Sequence, residues 1–264
     1  MSNDKITAAA GADIYRDTNW AGRLRRLDTV VSTQEEAKLL AEQGAPEGTA
    51  VMAEEQTVGR GTRGRRWHSP KGKGVWMSVV LRPDIPLQST PQLTLLAGVA
   101  VCTAIRQLTG VEAGIKWPND LLARGRKLCG ILVEASAGPG GLQYAIAGIG
   151  IGANLSEEDY PPELRSIATS LLIEGGMPVD REELAAKVLR ELQYHYKLYL
   201  AQGLEPISRL WEEMSVTLGR RIRLKTPQGW LEGTAVGLGE DGGLLLREDN
   251  GSVTSVCSGE ITLI

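Results

Sequence analysis

In Ile115-Lys116-Trp117-Pro118-Asn119-Asp120, followed six residues on by Lys127-Leu128-Cys129-Gly130-Ile131-Leu132-Val133-Glu134, a short apolar run stops at a proline and a longer one then begins. Pro118 biases Trp117 away from the helical region, so Ile115 belongs to a short extended run with Lys116 at its edge. Asn119 and Asp120 supply turn chemistry. Leu128–Glu134 and Tyr144–Ile151 are apolar enough to read as strands buried on both faces. Two further strand-like runs, Thr49–Glu54 and Val75–Leu81, come earlier. Helices lie between them. Ser32 with Glu35 forms a capping box before a helix whose apolar face is Leu39 and Leu40 and whose stop is Gly44. Thr90-Pro91 opens a long apolar helix that ends near Gly110, and Asp180 with Glu183 caps a helix with the stripe Leu184, Val188, Leu192, His195, Tyr199. The segment before about Leu27 is short and arginine-containing, too small for a domain.

From Gly219 the pattern changes. Short β-runs alternate with Pro227-Gln228-Gly229, Gly239 to Gly243 and Asp249-Asn250-Gly251, which is hairpin grammar. The expectation is an α+β domain over residues 1–216 with a small β-barrel over 217–264.

The whole chain has 264 residues, enough for one large domain, or one domain with an appendage, and for a core that needs no staples. Hydrophobic residues make up 42% and charged residues 23%, which excludes general disorder. Lys and Arg number 29 against 32 Asp and Glu, a net charge of −3, so the basic surplus of a phosphate-gripping DNA binder is absent. Three scattered cysteines (Cys102, Cys129, Cys257) and two histidines (His68, His195) make neither a disulfide framework nor a zinc site. Met1 to Gly11 lacks the apolar centre of a signal peptide. Leu93 to Ile105, 13 residues broken by Thr and Gly, suits a buried helix better than a span of about 20. The expected address is the cytoplasm, with no membrane and no nucleic-acid partner.

The segment Gln56-Thr-Val-Gly-Arg-Gly-Thr-Arg-Gly-Arg-Arg-Trp67 is the most unusual. Arg60, Arg63, Arg65, Arg66, Lys71 and Lys73 crowd one loop with no acidic residue between Arg60 and Lys73, while its glycines let the backbone approach a ligand. Guanidinium forks beside exposed amides suit polyphosphates and carboxylates, although a solvated basic loop would show the same charges. Gly59, Gly61 and Gly64 match G-x-G-x-x-G, but Pro70, Gly72 and Gly74 follow where a dinucleotide site needs a helix. Gly148, Gly150 and Ala153 fail the same way, running into Ser156 and Pro161-Pro162. Lys116, between Ile115 and Trp117, is a candidate half-buried ammonium awaiting an anion, or else a strand-end lysine reaching water. His195 is a packed residue on an apolar stripe. Ser69 and Ser78 lack a nucleophile elbow.

Taken in order, these segments resemble the biotin protein ligases over roughly Leu27 to Ile264. The resemblance rests on Ser32-Thr33-Gln34, Gln56, Gly59-Arg60-Gly61 through Trp67, Ser69-Pro70, Lys116-Trp-Pro-Asn-Asp120, Lys127 to Glu134, Gly148-Ile-Gly-Ile-Gly-Ala-Asn154 and Ala168-Thr-Ser-Leu171. It implies a mixed-sheet catalytic domain of the biotin/lipoate-ligase kind with a C-terminal SH3-like barrel. It also implies biotin and ATP as substrates, Mg²⁺ as assistant, and a biotin carboxyl carrier protein as acceptor. By the same resemblance Lys116 and Arg60 are catalytic. Ser32, Thr33, Gln34, Gln56, Arg60, Gly61, Thr62 and Lys116 bind biotin; Arg63, Arg65, Trp67, Lys127 and Asn154 serve ATP. Thr62 stands where many members carry arginine, which leaves open which arginine of this loop closes over the adenylate; Arg63 is one that could substitute. Members that double as repressors carry an N-terminal winged helix, and only about 30 residues precede Ser32, so the monofunctional type is expected. The competing readings are a lipoate or octanoyl ligase or transferase of related fold and a biotin-responsive regulator. Apolar Gly148–Ile151 would permit a homodimer through strand edges.

Overall fold

A computed structural model describes Trp20 and residues 23–226 and 229–264. Strand β1 (Leu24–Val30), helix α1 (Thr33–Glu42), strands β2 (Ala50–Gln56) and β3 (Gly74–Leu81), and the long helix α2 (Thr90–Thr109) come first. Strands β4 (Gly114–Lys116), β5 (Asp120–Ala123), β6 (Arg126–Gly138) and β7 (Gly141–Gly152) follow, then helices α3 (Leu171–Gly175), α4 (Arg181–Gln202) and α5 (Glu205–Met214). The chain ends in β8 (Arg221–Thr226), β9 (Gly229–Leu238), β10 (Leu244–Arg247), β11 (Val253–Val256) and β12 (Glu260–Leu263).

The first seven strands form one sheet in the order β1-β2-β3-β7-β6-β5-β4. It is mixed, because β1 runs parallel to β2 while the other neighbours are antiparallel. Alternation along the strands sorts side chains onto two faces. Ala50, Met52, Val79, Leu81, Ala145 and Ala147 join the main core with α2 and α4, whereas Val51, Val80, Tyr144 and Ile146 pack with Ala37 and Ala41 of α1. Helix α2 has 11 of its 20 residues buried, which is the buried helix read at Leu93 to Ile105. Gly110 closes it in the left-handed region at φ 70°, where glycine carries no Cβ penalty. Asp180 caps α4 by accepting from the amides of Glu182 and Glu183, and the whole stripe from Leu184 to Tyr199 is buried. His195 is part of that packing, its Nδ1 2.8 Å from the Glu191 carbonyl. Cys102 and Cys129 lie in the core and Cys257 is exposed; all three are free.

Several expectations need correction. The buried face of α1 is Thr33, Gln34, Ala37 and Ala41, while Leu39 is exposed. Ser32 caps α1 by accepting from Gln34 N, but Glu35 turns to an ion pair with Arg60 instead of completing the box. Strand β6 is not covered throughout: Glu134 and Ala135 are exposed although their partners on β7, Ile146 and Ala145, are buried. Strand β7 is flanked by β3 and β6, so Gly148–Ile151 has no free edge for the strand-edge dimer. Strands β1 and β5 and helix α5 were not read from the sequence.

The C-terminal strands form a second, five-stranded antiparallel sheet in the order β11-β10-β9-β8-β12, as a small SH3-like unit requires. Its inward residues Ile222, Leu224, Leu244 and Leu246 are continuous with Trp211 and Ile207 of α5 in the main core. The expected turn at Pro227-Gln228 and the first residues, Met1 to Gly11, lie outside the described residues.

Candidate active site

A cavity of about 570 Å³ opens over the α1 face of the large sheet, a size that suits a small-molecule ligand. Its floor follows from the alternation in β7: Ile149 and Ile151 go to the core, and Gly148 and Gly150 face the cavity. A Cβ at 148 would stand 2.5 Å from Gln34 Oε1, and one at 150 would stand 2.4 Å from Trp67 Nε1. These two glycines are therefore required by what lies on top of them. A nucleotide phosphate is not needed to explain them. Gly150→Ala should displace the rigid Trp67 indole, three of whose atoms would stand 2.4–2.9 Å from the new Cβ, and lower Tm by roughly 3–10 °C. An unchanged melting curve would show that the indole does not rest there.

At one end of the cavity the lining is neutral and polar. Gln56 Oε1 accepts from Thr33 N at 2.9 Å and lies 3.1 Å from Thr33 Oγ1. Thr33 Oγ1 lies 2.9 Å from Ser78 Oγ, which donates to Gln34 Oε1 at 3.0 Å. Gln34 Nε2 donates to the Ile146 carbonyl at 3.2 Å, and Gln56 Nε2 to Ser69 Oγ at 2.9 Å. Every amide orientation is thereby fixed by a partner, which makes this end stiff and selective in hydrogen bonding.

The other end is cationic. Among the described residues, Arg60, Arg65, Arg66, Lys116 and Lys127 line the cavity against two carboxylates, Asp120 and Glu260. Lys127 Nζ lies 2.6 Å from Asp120 Oδ1 and 5.3 Å from the centre of the Trp67 ring. That ammonium thus has an ion pair on one side and an aromatic face on the other. Lys116 ends β4 half-buried, with no ion-pair partner among the described residues. The main chain beside it is tied down, Trp117 N donating to Thr217 Oγ1 at 3.0 Å and Asn119 Nδ2 to the Ile131 carbonyl at 2.8 Å.

Of the residues singled out in the sequence, Ser32, Thr33, Gln34, Gln56, Arg60, Gly61, Thr62, Arg65, Trp67, Lys116 and Lys127 all line this one cavity. Arg63 and Asn154 do not. Arg63 is bonded instead to Glu260, which does line the cavity, Nη1 donating to Oε2 at 3.1 Å. The Asn154 amide is spent on Val179, donating to its carbonyl and accepting from its N–H, both at 2.8 Å. The asparagine braces the chain that leads into α4. Sequence reasoning missed Ser78, which looked only like a failed nucleophile, and it missed Glu260 to Leu263 of β12, which also line the cavity. The C-terminal unit thus contributes part of the cavity wall. No local pattern in the sequence marked either omission, since the arginines that meet Glu260 lie 195 and 197 residues away.

Comparison with known proteins agrees with this geometry. The profile of the Biotin/lipoate A/B protein ligase family matches residues 28–152, and that of the Biotin protein ligase C terminal domain matches residues 217–263. The bifunctional ligase/repressor BirA of Bacillus subtilis is 45% identical over 236 residues, covering 89% of this chain and 72% of its own. The chain belongs to the biotin protein ligase family. Another member, the biotin–[acetyl-CoA-carboxylase] ligase of Mycobacterium tuberculosis, is 35% identical over 90% of this chain and 88% of its own. Among solved members, the biotin protein ligase from Aquifex aeolicus in complex with biotin and ATP superposes with a TM-score of 0.80 at 34% identity, covering 92% of this chain and 99% of that one. This biotin protein ligase fold thus extends through both sheets.

Proposed function

We propose that this chain joins biotin to ATP, giving biotinyl-5′-AMP and pyrophosphate, and then passes biotin to a lysine of a biotin carboxyl carrier protein. The observation that carries the reading is the division of one cavity into a neutral polar end and a cationic end. Biotin has that division too, a ureido ring that exchanges hydrogen bonds and a carboxylate at the far end of an alkyl chain.

In the first half-reaction a carboxylate oxygen of biotin attacks the α-phosphorus and pyrophosphate leaves. Two anions must meet, so cations have to neutralise them and hold the attack in line. Ser32, Thr33, Gln34 and Gln56 would take the ureido ring. Lys116 would meet the biotin carboxylate and steady it against the α-phosphate. Arg60 and Arg65, with Gly61 and Thr62 between them, would cover the mixed anhydride and exclude water. Trp67 and Lys127 would face the nucleotide. In the second half-reaction a carrier lysine attacks the acyl carbon and AMP leaves, with the same cations balancing the phosphate it carries away. The described residues hold no group of three His, Cys, Asp or Glu side chains; Mg²⁺ arriving with ATP would be held chiefly by the phosphates and would neutralise their charge.

Residues to 216 would hold both substrates, with 217–264 as a cap over the cavity. The cytoplasm, where ATP and newly made carrier are found together, is the compartment this reading implies. An ATP–pyrophosphate exchange assay run with biotin and with lipoate side by side tests it. Exchange should depend on biotin alone. Lipoate-dependent exchange of equal rate would move the chain to the lipoate-ligase branch.

A further inference from the structure

The reaction derived above makes no demand on Glu260, yet this carboxylate ties two distant parts of the chain together. It begins β12, where Arg65 Nη1 donates to its Oε1 at 2.7 Å and Arg63 Nη1 to its Oε2 at 3.1 Å. The two arginines come from a loop 195 and 197 residues earlier. The base of that loop supports itself: Arg60 pairs with Arg66, Gly61 N donates to the Arg65 carbonyl at 2.7 Å, and Trp67 N donates to Gly59 O at 2.9 Å. Its tip does not. Arg63 sits at φ 59°, a left-handed conformation uncommon for a residue that carries a side chain.

Burial by itself would raise the Glu260 pKa. The Arg65 hydrogen bond and the charges of Arg65, Arg63 and Lys116 outweigh it and hold the carboxyl below its ordinary range. All three partners are about half exposed, at 47%, 57% and 48% for Arg63, Arg65 and Glu260, so the pairs add little to global stability. Their consequence is local. Each guanidinium has five N–H donors and gives one to Glu260; Arg65 gives two more to Thr62, at 3.5 Å each, which leaves it two donors for the cavity it lines.

We propose that Glu260 is a positioning residue: it holds the Arg63–Arg65 tip across the cavity mouth, so that Arg65 is already aimed when the anionic nucleotide arrives. The proposal rests on the adenylating function given above. A carboxylate that merely competed with phosphate for the arginines would have the opposite effect on nucleotide use, so the sign of the change discriminates.

The test is Glu260→Gln, which keeps the shape and removes the charge. The KM for ATP should rise about tenfold, with kcat changed less than about threefold and the KM for biotin unchanged. In the free protein, amides of residues 61–65 should exchange faster, while Tm stays within about 2 °C. Arg63→Gln should also raise the KM for ATP, and the double variant should be no worse than the worse single one, because the two residues act as one unit. An unchanged or lowered KM for ATP in Glu260→Gln, or additive effects in the double variant, would overturn the proposal. Absence of biotin-dependent exchange in the unmodified protein would sink the functional reading instead, and amide exchange of the loop would still decide whether Glu260 holds it.

Discussion

Lys116→Ala should abolish adenylate formation while the protein stays folded. Lys116 is the strand-end cation of the cavity, and it alone among Lys116, Lys127, Arg60 and Arg65 has no carboxylate within ion-pair distance among the described residues. Its ammonium is thus free to meet an incoming carboxylate, in a wall where β4 and the Trp117 amide are fixed by backbone and Thr217 bonds. A donor aimed at charge that grows in the transition state is worth about 3–4 kcal/mol, so the rate of pyrophosphate exchange should fall roughly 10²–10³-fold or more. The strand-end side chain buries no apolar partner of its own, and Tm should move by no more than a few degrees. A variant with near-normal exchange would remove Lys116 from the reaction.

How much of this was legible before the structure depended on whether the deciding contacts were local. The caps at Ser32 and Asp180, the Thr90-Pro91 start and the Gly110 stop are written within one helical turn, and the structure has all of them. Strand β1 escaped because an edge strand reading Leu-Arg-Arg-Leu-Asp-Thr-Val carries charges where alternation would show a face. Strand β5 has four residues, too few for a period. The α5 signal, Ile207 and Trp211 four apart behind Pro206, was present and overlooked. Leu39 misled because α1 turns small and polar residues inward, towards the cavity and its neighbouring core, so hydrophobicity is a poor guide to which face is buried. The glycines of β7 were visible, but their reason was not: Gln34 and Trp67 reach them from other parts of the chain. The same limit hid Glu260. Its partners are about two hundred residues away, and a charge in a hairpin-rich tail says nothing about what folds against it.

Removal of residues 219–264 should cost more than any single substitution apart from Lys116, and the loss should fall unevenly on the two substrates. The C-terminal sheet meets the rest of the protein through apolar and polar seams. Ile222, Leu224, Leu244 and Leu246 share a core with Ile207 and Trp211. Glu212 Oε1 accepts from Leu238 N at 3.1 Å, and Gln92 Nε2 donates to the Asp241 carbonyl at 3.2 Å. Exposing the α5 side of that core would cost several kcal/mol at about 25 cal/mol per Å², and the truncated protein should melt earlier. The polar end of the cavity is built from α1, β2 and β3 with its own closed set of hydrogen bonds, and none of them involves the removed residues. Biotin affinity measured by calorimetry at low temperature should therefore hold within about fivefold, the scale of 1 kcal/mol. The cationic end loses the β12 wall and the carboxylate that steadies Arg63 and Arg65, so carrier biotinylation should fall by roughly 10²-fold or more, as expected when positioned charge is lost from a reacting site. Equal losses in both measurements would mean that the truncation acts through general unfolding. Both unchanged would mean that the cap has no part in the chemistry, and that the second sheet only happens to lie against the cavity it borders.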